Sequence, residues 1–238
     1  MNILFNRLFG AEQHNIAIDG DFLGGYATVD GIEVAIIGTR NKAAINASIS
    51  LKVAEAILTV ISEDAETSRL PRPIIFLVDT QGQELSRHEE LLGLNGYFAH
   101  VAQCCELARI HGHRMISVIH GEAVSGGFLA FGLMADRVCA LPEAQVRVMD
   151  LRAMAKVTKI PYEKLLVLAE ESPVFAPGAE NYWRMGAIHD LWSETDDWKC
   201  CLIAALAQTE NEDCRARLGL ERSGRELAAQ IAALVAAA

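Results

Sequence analysis

Two short segments of this chain carry residue types suited to stabilising negative charge on a carbonyl oxygen. The first is His120-Gly-Glu-Ala-Val-Ser-Gly-Gly127, between an apolar run at 114–119 and an apolar segment that begins at Phe128. A helix opening on Gly126 and Gly127 presents backbone N–H groups with no intrahelical partner. Its dipole adds partial positive charge there, and glycine removes the β-carbon that would keep a carbonyl at a distance. Donors so placed form an oxyanion hole. The same two glycines serve equally well for close packing of a helix on a sheet. The second segment is Asp79-Thr-Gln-Gly-Gln83, which follows the apolar run Pro73–Val78. The N–H groups of Gly82 and Gln83 offer a second hole. The alternative is an ordinary strand-to-helix turn capped by Asp79 or Thr80.

Ser125 and Glu122 are near enough in sequence to deliver a proton, or to cap and pack. Ser125 also raises a rival chemistry. Ala123-Val-Ser-Gly-Gly-Phe-Leu129 resembles the nucleophile segment of Clp-type serine peptidases. A serine nucleophile needs a histidine base, and none lies between His120 and His189. Arg147, Arg152, Lys156, Lys159 and Lys164 concentrate basic charge. The spacing of Arg152, Lys156 and Lys159 predicts one helical face, which either attracts an acidic partner or phosphate groups or is simply solvated. His88, His100, His111 and His113 lie on or beside one predicted helix without a metal-binding pattern, so surface or packing roles are expected.

The elements that must position these residues follow from hydropathy. With 238 residues and 51% hydrophobic content, the chain fits a single domain and has material for a sizeable core. No stretch reaches the ~20 apolar residues of a membrane span, and the N-terminus lacks a signal-peptide core. A cytoplasmic protein is the expectation. A net charge of −10 argues against whole-surface nucleic-acid binding. The six cysteines lack C-x-x-C spacing and fit reduced thiols. Residues 16–38 predict short strands broken by Gly20, Gly24-Gly25 and Asp30-Gly31. Residues 46–63 predict a helix with Leu51, Ala54, Leu58 and Ile61 inward. Runs 73–78 and 114–119 predict strands buried on both faces. They are separated by one helix that ends near Gly112. A helix over 128–135 and short strands at 137–141 and 145–149 follow. Helices then run to the end, broken at Pro161 and near Pro173–Pro177, with Leu227, Ile231 and Leu234 on one side of an alanine-rich tail. Strand–helix alternation implies a parallel sheet whose carboxyl edge gathers both glycine turns.

Both turns, in this order, resemble the carboxyltransferase branch of the crotonase superfamily. Gly121-x-x-x-x-Gly126-Gly127 is similar to its paired-glycine oxyanion motif. Asp79-Thr-Gln-Gly82 resembles its Asp-Thr-Pro-Gly turn, with Gln81 in place of proline. Trp183–Asp190 resembles a late Gly-x-(Ile/Val)-Asp segment, interrupted here by His189. The resemblance covers about residues 16–195. More narrowly, 78–84, 119–128 and 176–182 resemble the gamma subunits of malonate decarboxylases. The resemblance implies a crotonase-like (ClpP/crotonase) α/β fold of stacked ββα units. It also implies one domain over 1–238, with an N-terminal extension at 1–15 and C-terminal helices at 196–238. The implied function is decarboxylation, with a beta subunit, of a malonyl thioester held on the phosphopantetheine-type arm of an acyl carrier protein. No cofactor is bound directly, and an acyl carrier protein transferase is a further partner. Gly126, Gly127, Gly82 and Gln83 would form the holes; Ser125, Gln81, Lys156 and Lys159 would contact substrate or carrier. The alternative is transfer of the carboxyl group to a biotin carrier.

Overall fold

The computed structural model describes residues 1–67, 69–171, 176–208 and 212–237. After α1 (Asn2–Phe9) come β1 (Ala17–Asp19), β2 (Phe22–Val29), β3 (Ile32–Thr39) and β4 (Ala43–Ile45). Then follow α2 (Ala47–Thr67), β5 (Ile74–Gln83), α3 (Arg87–Leu92), α4 (Leu94–Ile110), β6 (Met115–Val124) and α5 (Ser125–Ala130). Next are β7 (Arg137–Ala140), β8 (Gln145–Arg147), α6 (Leu151–Thr158), α7 (Tyr162–Glu171) and α8 (Ala179–Arg184). The chain closes with β9 (Asp190–Leu191), α9 (Trp198–Ala207), α10 (Arg215–Glu221) and α11 (Ala228–Ala236).

The sheet runs β1-β2-β3-β5-β6-β7-β9. Its first two pairings are antiparallel and the rest are parallel. Gly24 and Gly25 do not break a strand: they pair with Ile37 and Ile36 inside β2. Both faces of the sheet are covered, which explains the uninterrupted apolar run of β5. Ile74, Phe76 and Val78 face a core shared with α2, α4 and α5. Ile75 and Leu77 face a second core, where Phe5, Leu8 and Phe9 of α1 pack with Trp198 and Leu202 of α9. Residues 1–15 are therefore not merely appended.

The buried side of α2 is Val53, Ala54, Ile57, Val60 and Ile61, whereas Leu51 and Leu58 are exposed. The expected helix up to Gly112 is two, divided at Gly93 in the left-handed region (φ 72°), and its Leu91 is exposed. Ser86 caps α3 by accepting from the Glu89 N–H, so neither Asp79 nor Thr80 is a helix cap. The helix expected over 128–135 runs from Ser125 to Ala130. Lys159 stands just beyond α6, as its left-handed C-cap. The break expected near Pro173 lies partly outside the described residues. The tail is helical, with Leu227, Ile231 and Leu234 exposed.

One feature of the sheet positions the two glycine turns. β5 and β6 do not stop at Val78 and Ile119. Each continues and changes partners: β5 leaves β3 and pairs with β4, and β6 leaves β7 and pairs with β8. The register shift between Val78 and Thr80 marks the change, and beyond it Thr80 still pairs with Ala123. A bulge of this kind re-aims a strand. Both turns therefore rise together above the carboxyl edge of the main sheet.

Candidate active site

The two turns meet. A β-carbon on Gly82, whose φ is +103°, would lie 3.3 Å from both Ser125 Cβ and the Val124 carbonyl oxygen. One on Gly127 would lie 2.8 Å from Ile45 Cγ1, 2.9 Å from Thr80 Oγ1 and 3.1 Å from the Gly82 carbonyl carbon. One on Gly126 would lie 2.9 Å from the Phe98 ring and 3.4 Å from Gln83 Oε1. The obstacle at Gly127 thus includes backbone, whereas at Gly126 it is the side chains of Phe98 and Gln83. The N–H groups of Ser125, Gly126 and Gly127 precede the first intrahelical bond of α5, and Val124 supplies no side-chain cap. Ser125 holds φ +50°, an uncommon conformation for a non-glycine residue.

The second turn differs from the expectation in one respect. The Gly82 N–H donates to Thr80 Oγ1 at 3.0 Å, and the Thr80 hydroxyl donates to the Ala43 carbonyl at 2.7 Å. Gly82 is therefore not a free donor in this structure. Gln83 Oε1 is buried and accepts no hydrogen bond among the described residues. Gln81 is exposed at the crest of the turn.

Side chains that the sequence does not associate hold the strand ends. Asp79 Oδ1 accepts the Glu122 N–H at 2.9 Å, and Oδ2 accepts the Lys42 N–H at 3.0 Å. A β-carbon on Gly121 would overlap the Asp79 carboxylate. Glycine inside a strand often marks such a close approach, and this was the one available signal for the contact. Glu122 is clamped from two sides, by Lys42 Nζ at 2.8 Å and by Arg147 at 2.6 Å. The Lys42 hydrogen bond, followed by that of Arg147, holds its carboxyl below the usual range against the opposing effect of burial. Glu122 is thus a carboxylate at neutral pH and a poor proton donor. Lys42 reaches this position from a turn in which Asn41 and Lys42 both take positive φ.

The histidines are engaged elsewhere. His120 Nε2 donates to the Thr39 carbonyl at 3.0 Å. His189 Nδ1 accepts the Val138 N–H at 3.1 Å. Burial first, then Arg215 and Arg137, lowers the His189 pKa from 6.5 to about 4. A histidine depressed in the folded state is neutral there and protonates more readily when unfolded. Its contribution is present above pH 6.5 and disappears as pH falls towards 4. His189→Gln should therefore flatten the acid side of the stability–pH curve in that window, as read by urea titration at a series of pH values. An unchanged slope would refute this assignment. Lys156 and Lys159 are exposed on and just beyond α6, away from the turns in the chain but joined to them through β8.

Among the described residues, no group of three or more His, Cys, Asp or Glu side chains is placed to hold a metal ion. No helix among them is long and apolar enough to cross a membrane.

The family model described as malonate decarboxylase gamma subunit matches residues 40–238. The chain belongs to the malonate decarboxylase gamma subunit family. The match spans both turns, the Lys42–Glu122–Arg147 clamp and α6. A Malonomonas rubra malonyl-S-ACP:biotin-protein carboxyltransferase is 30% identical over 199 residues, 77% of this chain and 68% of that protein. An acetyl-coenzyme A carboxylase carboxyl transferase alpha subunit of Jannaschia is 29% identical over 67% of this chain, which spans about half (50%) of that relative's length. One chain of a Pseudomonas malonate decarboxylase hetero-tetramer, solved with coenzyme A, superposes with a TM-score of 0.83. It has 25% identity and covers 98% of this chain and 96% of that one. A Pseudomonas MdcD–MdcE hetero-dimer gives 0.76 at 26% identity, covering 95% and 97%. The fold of this family is crotonase-like, and the chain is a subunit of a decarboxylase or carboxyltransferase enzyme.

Proposed function

We propose that this chain, paired with a malonate decarboxylase beta subunit, decarboxylates a malonyl thioester carried on an acyl carrier protein. The observation that carries the reading is the convergence of the two glycine turns, with Gly82 against Ser125 and Gly127 against Thr80 and Gly82. Cleavage of the bond between the carboxyl carbon and C2 releases CO2. The electron pair left on C2 delocalises onto the thioester oxygen as an enolate. Protonation of C2 then gives the acetyl thioester. N–H donors aimed at the developing oxyanion lower that barrier. Gly126 and Gly127 supply them at the positive end of α5, and Gln83 supplies another from the facing turn. The Gly82 N–H joins only when it leaves Thr80. Gln81, exposed beside Gly82, and Ser125 line the approach. The proton comes from a group other than Glu122, which stays ionised. An acyl carrier protein transferase subunit loads the carrier, and the assembly works in the cytoplasm.

One relative frames the alternative acceptor. The Malonomonas relative passes its carboxyl group to a biotin protein, and the same enolate chemistry in this chain would serve that transfer. Assaying the two-subunit complex with malonyl thioester, with and without a biotin carrier, separates the two outcomes. CO2 released without biotin supports the decarboxylase; turnover that requires biotin supports the transferase. No turnover under either condition would sink the proposal.

A hydrolase using Ser125 is the rival. His120 and His189 are each fixed by one ring nitrogen on a backbone group, and among the described residues no hydrogen bond joins a histidine to the Ser125 hydroxyl, the contact a serine nucleophile needs. Ser125→Ala should therefore retain decarboxylation within about threefold, whereas loss of a true nucleophile removes activity by orders of magnitude. Steady-state CO2 release by the complex distinguishes them.

A further inference from the structure

Helices α6 and α7 stand apart from both cores. No residue of α6 is buried, and Leu165 is the buried residue of α7. Val148, Val157, Leu166 and Val167 are 40–67% exposed. Residues 147–164 hold five basic and two acidic side chains in a chain of net charge −10. The basic groups divide by engagement. Arg147 is tied to Glu122, and the Arg152 guanidinium lies 5.2 Å over the Tyr162 ring, joining α6 to α7. Lys156, Lys159 and Lys164 are exposed, and none makes an ion pair among the described residues. The hairpin is anchored beside the glycine turns, because Arg147 of β8 pairs with Val124, the residue before Ser125.

We propose that the α6–α7 hairpin is the docking surface for an acidic carrier protein, with Lys156 and Lys164 supplying the attraction and Val157 the apolar contact. This rests on the carrier-bound thioester reading above and adds where the carrier binds. Charge complementarity favours that occupant. An acidic protein is repelled by most of a chain of net charge −10 and steered to its basic segment. The anchor on β8 then holds the arm-bearing partner next to the turns. Lys159, turned off the helix as its C-cap, stands at the margin of this surface.

The test uses the assembled two-subunit complex and its holo acyl carrier protein. Carrier affinity is measured by calorimetry for the native complex and for Lys156→Glu/Lys164→Glu. Both positions are exposed and outside the cores, so helix content by circular dichroism should be unchanged. The expected result is a weakening of about tenfold or more with a shallower salt dependence. In the native complex, raising salt from about 50 to 300 mM should weaken carrier binding but leave KM for a free pantetheine thioester unmoved. Unchanged carrier affinity in the double variant overturns the proposal. So does dissociation of the beta subunit, which would mean that the partner covers this face. Binding of the native complex to anionic phosphatidylglycerol vesicles without carrier binding also overturns it, in favour of a membrane surface. Failure of the native complex to turn over any malonyl thioester would instead defeat the underlying function, and the binding measurement reads docking independently of that.

Discussion

Gly127→Val should cost the assembled enzyme more than about a hundredfold in decarboxylation, the loss expected when an oxyanion-hole donor is displaced. The reason is steric before it is chemical. The first added carbon would stand 2.8 Å from Ile45 Cγ1, 2.9 Å from Thr80 Oγ1 and 3.1 Å from the Gly82 carbonyl carbon. The last of these is backbone and cannot rotate away. α5 must lift off β5, taking its N–H groups with it, at an overpacking cost of about 1–3 kcal/mol. Gly126→Ala is the informative partner. Its β-carbon meets the Phe98 ring at 2.9 Å and the tip of Gln83 at 3.4 Å. Both are side chains rather than backbone, so the loss should be smaller, about tenfold or less, with the hole kept in place. Activity of purified complexes, alongside gel filtration to show that assembly persists, checks the order. Full activity in an assembled Gly127→Val complex would mean that the partner subunit performs the chemistry and this chain is its scaffold.

The second large effect is expected at Asp79. Its two oxygens accept N–H groups from Glu122 on β6 and from Lys42 before β4. They hold the strand ends that carry both turns. In Asp79→Asn, one carboxylate oxygen becomes an NH2 that faces another N–H donor. Leaving a donor unsatisfied costs roughly 1–3 kcal/mol, and each kcal/mol shifts Tm by about 2–4 °C for a chain of this size. Turnover should fall about tenfold to a hundredfold through kcat, because small misplacements of positioned groups are costly. A double-mutant cycle with Gly121→Ala gives a sharper check. The alanine methyl needs the space of the Asp79 carboxylate. Gly121→Ala should therefore be far less harmful in an Asp79→Ala background than in the native chain. Additive losses would show that the two residues do not share this contact.

The sequence by itself determined the chemistry-bearing segments and the layered frame. The apolar runs at 73–78 and 114–119 become the central strands, because a strand covered on both faces must be apolar throughout. Their alternation with helices implies parallel pairing, which the structure has. The paired glycines at 126–127 open a helix, as their position after a strand suggests. Local pattern also misled in identifiable ways. Leu51 and Leu58 have helical spacing with Ala54, yet the packing partner of α2 lies on the side of Val53, Ile57 and Val60. Gly24 and Gly25 look like breaks and sit inside β2, with Gly24 paired to Ile37.

Only the tertiary structure decided where the strands end and which side chains guard the turns. β5 runs on through Asp79–Gln83 because β4, some 40 residues earlier, offers it a new edge. Nothing local to Asp79 records that partner. The clamp on Glu122 joins residues 42, 122 and 147, three segments whose proximity exists only after the strands have exchanged partners. The Gly82 N–H is taken by Thr80 for the same reason, since the continued strand turns that hydroxyl inward between Ala43 and Gly82. Sequence periodicity reports which face of an element is apolar; it carries no record of which distant strand end will stand beside it.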